Sequence, residues 1–220
     1  MPADEATKSP RRGHVLSPAI VELRSITEPL DLEKIFGRCA PLHVDLGCGD
    51  GAFLCALAQR YPQKNFLGIE RLLGRINSAA HKIDTASRSG PKIDNAHVLR
   101  VETSYAVRYL LPAESVETFY LLFPDPWPKR RHQRRRIVSN EFLQALNVAL
   151  IPGGIFHVAT DQLDYFQQIK AIADTRFAIV DLANASPART DLPLTQFEKR
   201  FREQGAPIYR LVLRKVSPVE

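Results

Sequence analysis

Residues Asp45-Leu46-Gly47-Cys48-Gly49-Asp50-Gly51 join a short apolar run to an amphipathic stretch. Glycines at alternate positions let a chain turn tightly and bring its backbone up to a ligand just before a helix begins. The segment therefore reads as a loop that receives a nucleotide-containing cofactor. Spacing alone does not choose the cofactor, because Gly47, Gly49 and Ala52 also satisfy the GxGxxA form of a dinucleotide site. The discriminating group is Asp45, two places before the first glycine, since a carboxylate there accepts a hydrogen bond from a cationic amino group. Glu70, nineteen residues after Gly51, is placed to accept hydrogen bonds from the two hydroxyls of a ribose. That role is common to NAD sites, and beside Arg71 the same residue would also serve as a solvated charge.

A second constellation is Phe123-Pro124-Asp125-Pro126-Trp127-Pro128 followed by the octad Lys129 to Arg136, KRRHQRRR. Three prolines keep the backbone from entering the next helix early. They present an acid, an indole and a basic run that together suit a base and its phosphates, although Trp127 by itself is equally suited to ordinary packing. Of the 30 Lys and Arg, six lie in the octad, and the other 24 balance the 24 Asp and Glu, so the net charge of +6 is local. A neutral protein with one basic stripe has a docking surface for a polyanion. Nucleic acid is the implied partner, with Arg131, Arg135 and Arg136 among the cations expected to touch phosphates. Asp45 and this segment together favour S-adenosylmethionine, which carries an ammonium group, over NAD. An NAD-dependent oxidoreductase would also need a catalytic acid or base and a nicotinamide pocket, and neither is evident.

These groups must be held by a scaffold. With 220 residues, 45% of them hydrophobic, the chain suits one α/β domain. Strands are expected at Leu42 to Leu46, Asn65 to Glu70, His97 to Val101, Glu117 to Phe123, Ile155 to Thr160, Phe177 to Leu182 and Ile208 to Arg214. Helices are expected at about residues 51 to 60, 71 to 88, 103 to 111, 137 to 150, 162 to 175 and 195 to 204. Residues 183 to 194, with two prolines, read as a surface loop. Strands alternating with helices give an open, doubly wound sheet of seven strands, mostly parallel, with its ligand crevice at the carboxyl ends of the central strands. Residues 1 to 40 read as a partly disordered N-terminal arm and 41 to 220 as the domain.

Cys39, Cys48 and Cys55 have no CxxC spacing, and an odd count without a signal peptide fits a reduced, cytosolic compartment. The six histidines are dispersed, so no metal site is expected. No run of about 18 apolar residues suggests a membrane span. Monomer and homodimer both remain open.

The stretch FPDPWPKRRHQRRR resembles the signature of the bacterial tRNA (guanine-N7-)-methyltransferase family (TrmB). VDLGCGDG and FLGIE resemble its cofactor segments, HVATD its fifth strand and TQFEKRFREQGAPIYRL its C-terminal substrate element. The likeness runs from about residue 40 to 214, and PDPWPK and TQFEKRF are its most specific parts. It implies a Rossmann-like class I methyltransferase fold, S-adenosylmethionine as cofactor and tRNA as substrate, the target being the variable-loop guanosine at position forty-six. Asp45 and Glu70, with the loop glycines Gly47 and Gly49, would bind the cofactor, and Asp125 would stand close to both cofactor and reactive base. Lys129, Asp161 and the segment Thr195, Gln196, Phe197, Glu198 would bind tRNA. In one place the sequence departs from the family: an Asp or Asn is usual after the third strand, near the adenine, whereas ETSYAV offers Ser104 or Tyr105. Two substrate segments also have plain structural uses, since Thr195 with Glu198 forms a capping box and Asp161 is placed to cap a helix. Other outcomes compatible with the cofactor loop are a methyltransferase acting on another substrate and a non-catalytic RNA-binding protein.

Overall fold

The computed structural model describes residues 17–173, 177–180 and 192–216. In chain order its elements are β1 (Ile20–Val21), α1 (Leu32–Phe36), β2 (Leu42–Leu46), α2 (Ala52–Arg60), β3 (Asn65–Glu70), α3 (Leu73–Ser89), β4 (Ala96–Arg100) and α4 (Thr103–Tyr105). Then follow β5 (Val116–Leu122), α5 (Asn140–Ala149), β6 (Leu150–Thr160), α6 (Leu163–Ala173), β7 (Phe177–Ile179), α7 (Gln196–Glu203) and β8 (Tyr209–Lys215). Helix α4 runs on into a π-helical turn at Ala106–Leu110, and a 3-10 turn occupies Arg130–Arg135.

The strands form one sheet in the order β1-β4-β3-β2-β5-β6-β8-β7. Strands β1 to β6 run parallel, and β8 returns antiparallel between β6 and β7. Every residue of β2 and β3 is buried, the pattern of central strands covered on both faces. One apolar layer joins the sheet to α5 and α6 through Phe142, Leu146, Tyr165 and Ile169. The other joins it to α2 and α3 through Phe53, Leu57, Ile76 and Ile83. Chain order reverses at β2, with β3 on one side and β5 on the other. A crevice therefore opens at the carboxyl ends of these strands, where open α/β sheets bind their ligands.

The doubly wound α/β sheet is the expected one, with an eighth strand added. Residues Ile20 and Val21 pair with Val98 and Leu99 of β4. This short strand lies within the segment read as an arm, where Leu30 and Phe36 also join the core. β6 starts at Leu150, five residues ahead of the expected strand, because Leu150 pairs with Val116 before the register jumps to Thr118 opposite Ile155. The Pro-Gly-Gly at 152–154 hid this pairing. Residues 174–176 and 181–191, which include the end of an expected helix, the end of an expected strand and most of the expected loop, lie outside the described residues. So do residues 1–16 of the expected arm. Among the described residues no helix is long and apolar enough to cross a membrane.

Candidate active site

The glycine loop leaves β2 and enters α2 against α3. Gly51 has φ +72°, and a Cβ there would fall 2.6 Å from the Cβ of Ala79. Only glycine permits both that conformation and that approach. Gly47 also has a positive φ, +76°, but an added Cβ would meet nothing within 4 Å, so its backbone faces open space. That space is a cavity of about 630 Å³ bounded by β2, β3, the start of α4, the loop after β5 and the first turn of α7.

Two acids lie in its floor. Asp45 is 5% exposed and its carboxylate receives no hydrogen bond from any described residue. Burial first, and the nearby Glu70 second, push its pKa up to about 7. A buried carboxylate without a donor is costly to ionise and favours an incoming cation. Glu70 is held differently: its Oε1 accepts hydrogen bonds from the backbone N–H groups of Arg71 (2.8 Å) and Leu72 (2.9 Å). Oε2 has no donor among the described residues.

Asp125 reaches the same cavity from the loop after β5. That loop is strained, since Phe123 (φ +56°) and Trp127 (φ +43°) are left-handed although each is bulky and precedes a proline. Such conformations cost about 1–3 kcal/mol each and persist where surroundings over-determine them, often at functional sites. Here the Phe123 N–H donates to the Ala159 carbonyl at 2.7 Å. The Phe123 ring lies 5.3 Å from Phe201 and 6.4 Å from Phe197, both on α7. The Trp127 ring carries the Arg135 guanidinium 5.0 Å from its centroid and stands T-shaped to His132, their centroids 5.9 Å apart.

Of the octad, Lys129, Arg130, Arg131, Arg134 and Arg135 are exposed. Arg136 is not: it is 6% exposed and bonded on three sides within the protein. Its expected place among the phosphate-contacting cations is therefore corrected. Arg135 lines the cavity, whereas Lys129 and Arg131 lie outside it.

Thr195, Gln196 and Phe197 line the cavity at the start of α7. The Thr195 Oγ1 accepts from the Glu198 N–H at 3.0 Å, which is half of the expected capping box. The reciprocal half is missing, because the Glu198 carboxylate is buried and turned to Arg202 (2.7 Å) and Arg210. Asp161 lies outside the cavity lining, where its Oδ2 accepts from Gln162 Nε2 at 2.6 Å. Ser104 and Tyr105 do not line it either. The Glu102 carboxylate caps their backbone N–H groups at 3.0 and 2.7 Å, and the Tyr105 hydroxyl turns away to the Ile26 carbonyl. The residues that reach the cavity after β4 are Glu102 and Thr103. The signal for Glu102 was an acid just past the end of a strand, two residues beyond Arg100 of β4, much as Glu70 is the acid that ends β3. Arg75 and Leu72 also line the cavity, and nothing in residue type or spacing marked them.

Strand order, glycine loop and paired acids at the ends of β2 and β3 define the fold of Rossmann-like class I methyltransferases. A solved protein described as an antibiotic-related methyltransferase shares it, with TM-score 0.59 and 17% identity over 92% of this chain and 99% of that one. A family model described as "Putative methyltransferase" matches residues 39–211. The tRNA (guanine-N(7)-)-methyltransferase of Halorhodospira halophila is 38% identical over 188 residues, covering 84% of this chain and 79% of that protein. That of Thermotoga maritima is 35% identical over 190 residues, covering 86% of this chain but 58% of the longer relative. The chain belongs to the tRNA (guanine-N(7)-)-methyltransferase family.

Proposed function

We propose that this protein transfers a methyl group from S-adenosylmethionine to N7 of a guanosine in tRNA, at position forty-six of the variable loop. The observation that carries the reading is one cavity lined by Asp45, Glu70 and Asp125, with the cationic turn Arg130–Arg135 beside its mouth. The donor-less, buried Asp45 fits the cofactor's ammonium group, and the open oxygen of Glu70 fits its ribose hydroxyls. When bound, S-adenosylmethionine supplies an electrophilic methyl group on a sulfonium.

The rest falls to the protein. Guanine N7 carries an in-plane lone pair and no proton, so no strong general base is needed. Alignment dominates, and fixing the reacting atoms in line supplies roughly 7–11 kcal/mol in favourable intramolecular models. Asp125, exposed at the cavity wall, accepts hydrogen bonds from the N1 and N2 donors on guanine's Watson–Crick edge. That holds the base and favours its cationic product, and adenine lacks the same donor pair. Asp161, which the resemblance places among the tRNA-binding residues, is absent from the cavity lining, so this role is given to Asp125. Lys129, Arg131 and Arg135 contribute phosphate contacts, and Gln196 and Phe197 flank the incoming nucleotide.

The test incubates the protein with labelled S-adenosylmethionine and unmodified tRNA and maps the product by chemical cleavage at 7-methylguanosine. Cleavage at the variable-loop guanosine is expected. Label in another position contradicts the target, and no label with cofactor binding intact contradicts the substrate.

A further inference from the structure

We infer that Arg136 is a positioning residue that holds the Asp125 loop in register with the cofactor cavity, and is not part of the surface that docks RNA. The inference rests on the proposed reaction for its kinetic consequence and on geometry alone for its structural one. Arg136 ends the basic octad, yet its side chain is 2% exposed. Each arm of its guanidinium is used. Nε donates to the Pro126 carbonyl at 2.8 Å, Nη1 to Gln168 Oε1 at 2.7 Å, and Nη2 to the Asp164 carboxylate. Its Cζ lies over the ring of Tyr165, 4.6 Å from the centroid. The Tyr165 hydroxyl in turn accepts the Val138 N–H at 3.2 Å.

Asp164, Tyr165 and Gln168 all belong to α6, so one side chain ties that rigid helix to the carbonyl between Asp125 and Trp127. The tie matters because few other hydrogen bonds hold this loop among the described residues. Pro124, Pro126 and Pro128 have no N–H to donate, and Phe123 and Trp127 sit in left-handed conformations that must be held from outside. A guanidinium is suited to this, as a rigid fork that reaches three acceptors in one plane. A lysine has its three donors on one nitrogen and cannot span the same three separated acceptors.

Trp127 is the only tryptophan in the chain, which makes its fluorescence a direct probe of this loop. The experiment compares wild type with R136K, which keeps the charge opposite Asp164 and so the fold, and with R136Q. Emission and acrylamide quenching of Trp127 are read beside far-ultraviolet circular dichroism, and kcat and KM are measured with tRNA. For R136K we expect a red-shifted emission and stronger quenching with unchanged secondary structure. We also expect kcat to fall at least tenfold, with KM for tRNA and the S-adenosylmethionine Kd within about threefold and the salt dependence of tRNA binding unchanged. R136Q should behave alike or worse. Unaltered Trp127 fluorescence in R136K overturns the inference, whether or not tRNA is the substrate. A change confined to KM and salt dependence overturns it too, by returning Arg136 to the docking surface. Failure of the wild type to methylate tRNA contradicts the proposed reaction alone, and the fluorescence result still decides the inference.

Discussion

Neighbouring strands β2 and β5 carry acids near opposite edges of the sheet, Glu117 at the amino end of β5 and Asp45 at the carboxyl end of β2, and the two edges treat them oppositely. At the amino-terminal edge, Glu117 accepts from Lys64 at 2.6 Å and pairs with His43 at 2.6 Å, while His43 also meets the Tyr120 hydroxyl at 2.9 Å. The His43 hydrogen bond first, and Lys64 with it, pull the Glu117 pKa down to about 2. At the carboxyl edge, two residues along β2 from His43, Asp45 has no donor among the described residues and its pKa is pushed up to about 7. One carboxylate is supplied with every partner it needs by the fold, and the other waits for a partner from outside. Acids of the first kind hold a sheet together, and those of the second kind mark a ligand site.

The contrast between the two edges breaks most visibly at Asp125. Replacing it with alanine should lower the rate of methyl transfer by about 10²-fold or more, the scale of losing alignment at a reacting centre, while calorimetry finds S-adenosylmethionine binding little changed. Near-normal turnover would remove Asp125 from the mechanism. Replacing Arg131, Arg134 and Arg135 together with glutamine should weaken tRNA binding. It should also flatten the salt dependence by roughly 0.7–0.9 logarithmic units for each phosphate no longer neutralised, and an unchanged slope would place docking elsewhere.

The smallest effect belongs to the amino-terminal edge. E117Q should leave methylation at 25 °C intact and lower stability by about 1 kcal/mol, a figure kept small because Glu117 is one-third exposed and screened. For a protein of this size that is about 2–4 °C in Tm, readable by thermal melting. The two acids also bend the pH profile in opposite senses. The Glu117 pKa is depressed on folding, so its stabilisation is present above its ordinary value of 4.5 and is lost as pH falls toward 2. The Asp45 pKa is raised, so the stability of its protonated form is present below 3.8 and is lost as pH rises through about 7. Melting as a function of pH should therefore show E117Q flattening the acid limb and D45N the limb near neutrality.

Much of this is legible in the sequence because its strongest signals are local. β2 and β3 match their expected bounds, Leu42–Leu46 and Asn65–Glu70, since each is a short apolar run ending in an acid and a turn. Asp45, Glu70 and Asp125 stand out by their place at strand ends. What is not legible depends on packing between distant segments. β1 exists only because two residues find the free edge of β4. Arg136 looks like its five cationic neighbours until α6 closes over it, and Glu198 looks like a capping acid until β8 brings Arg210 to it. Glu102 is overshadowed in the sequence by Ser104 and Tyr105 because its own capping bonds form only in the folded turn.

In the proposed reaction Asp45, without a donor among the described residues, receives the cofactor's ammonium group. Calorimetric titration of S-adenosylmethionine into wild type and D45N at pH 6 and pH 7.5 tests this most directly. Wild-type affinity should rise several-fold between these values as a group with a pKa near 7 ionises, and D45N should bind at least tenfold more weakly with no such rise. Equal affinity of D45N and wild type at both pH values would contradict it.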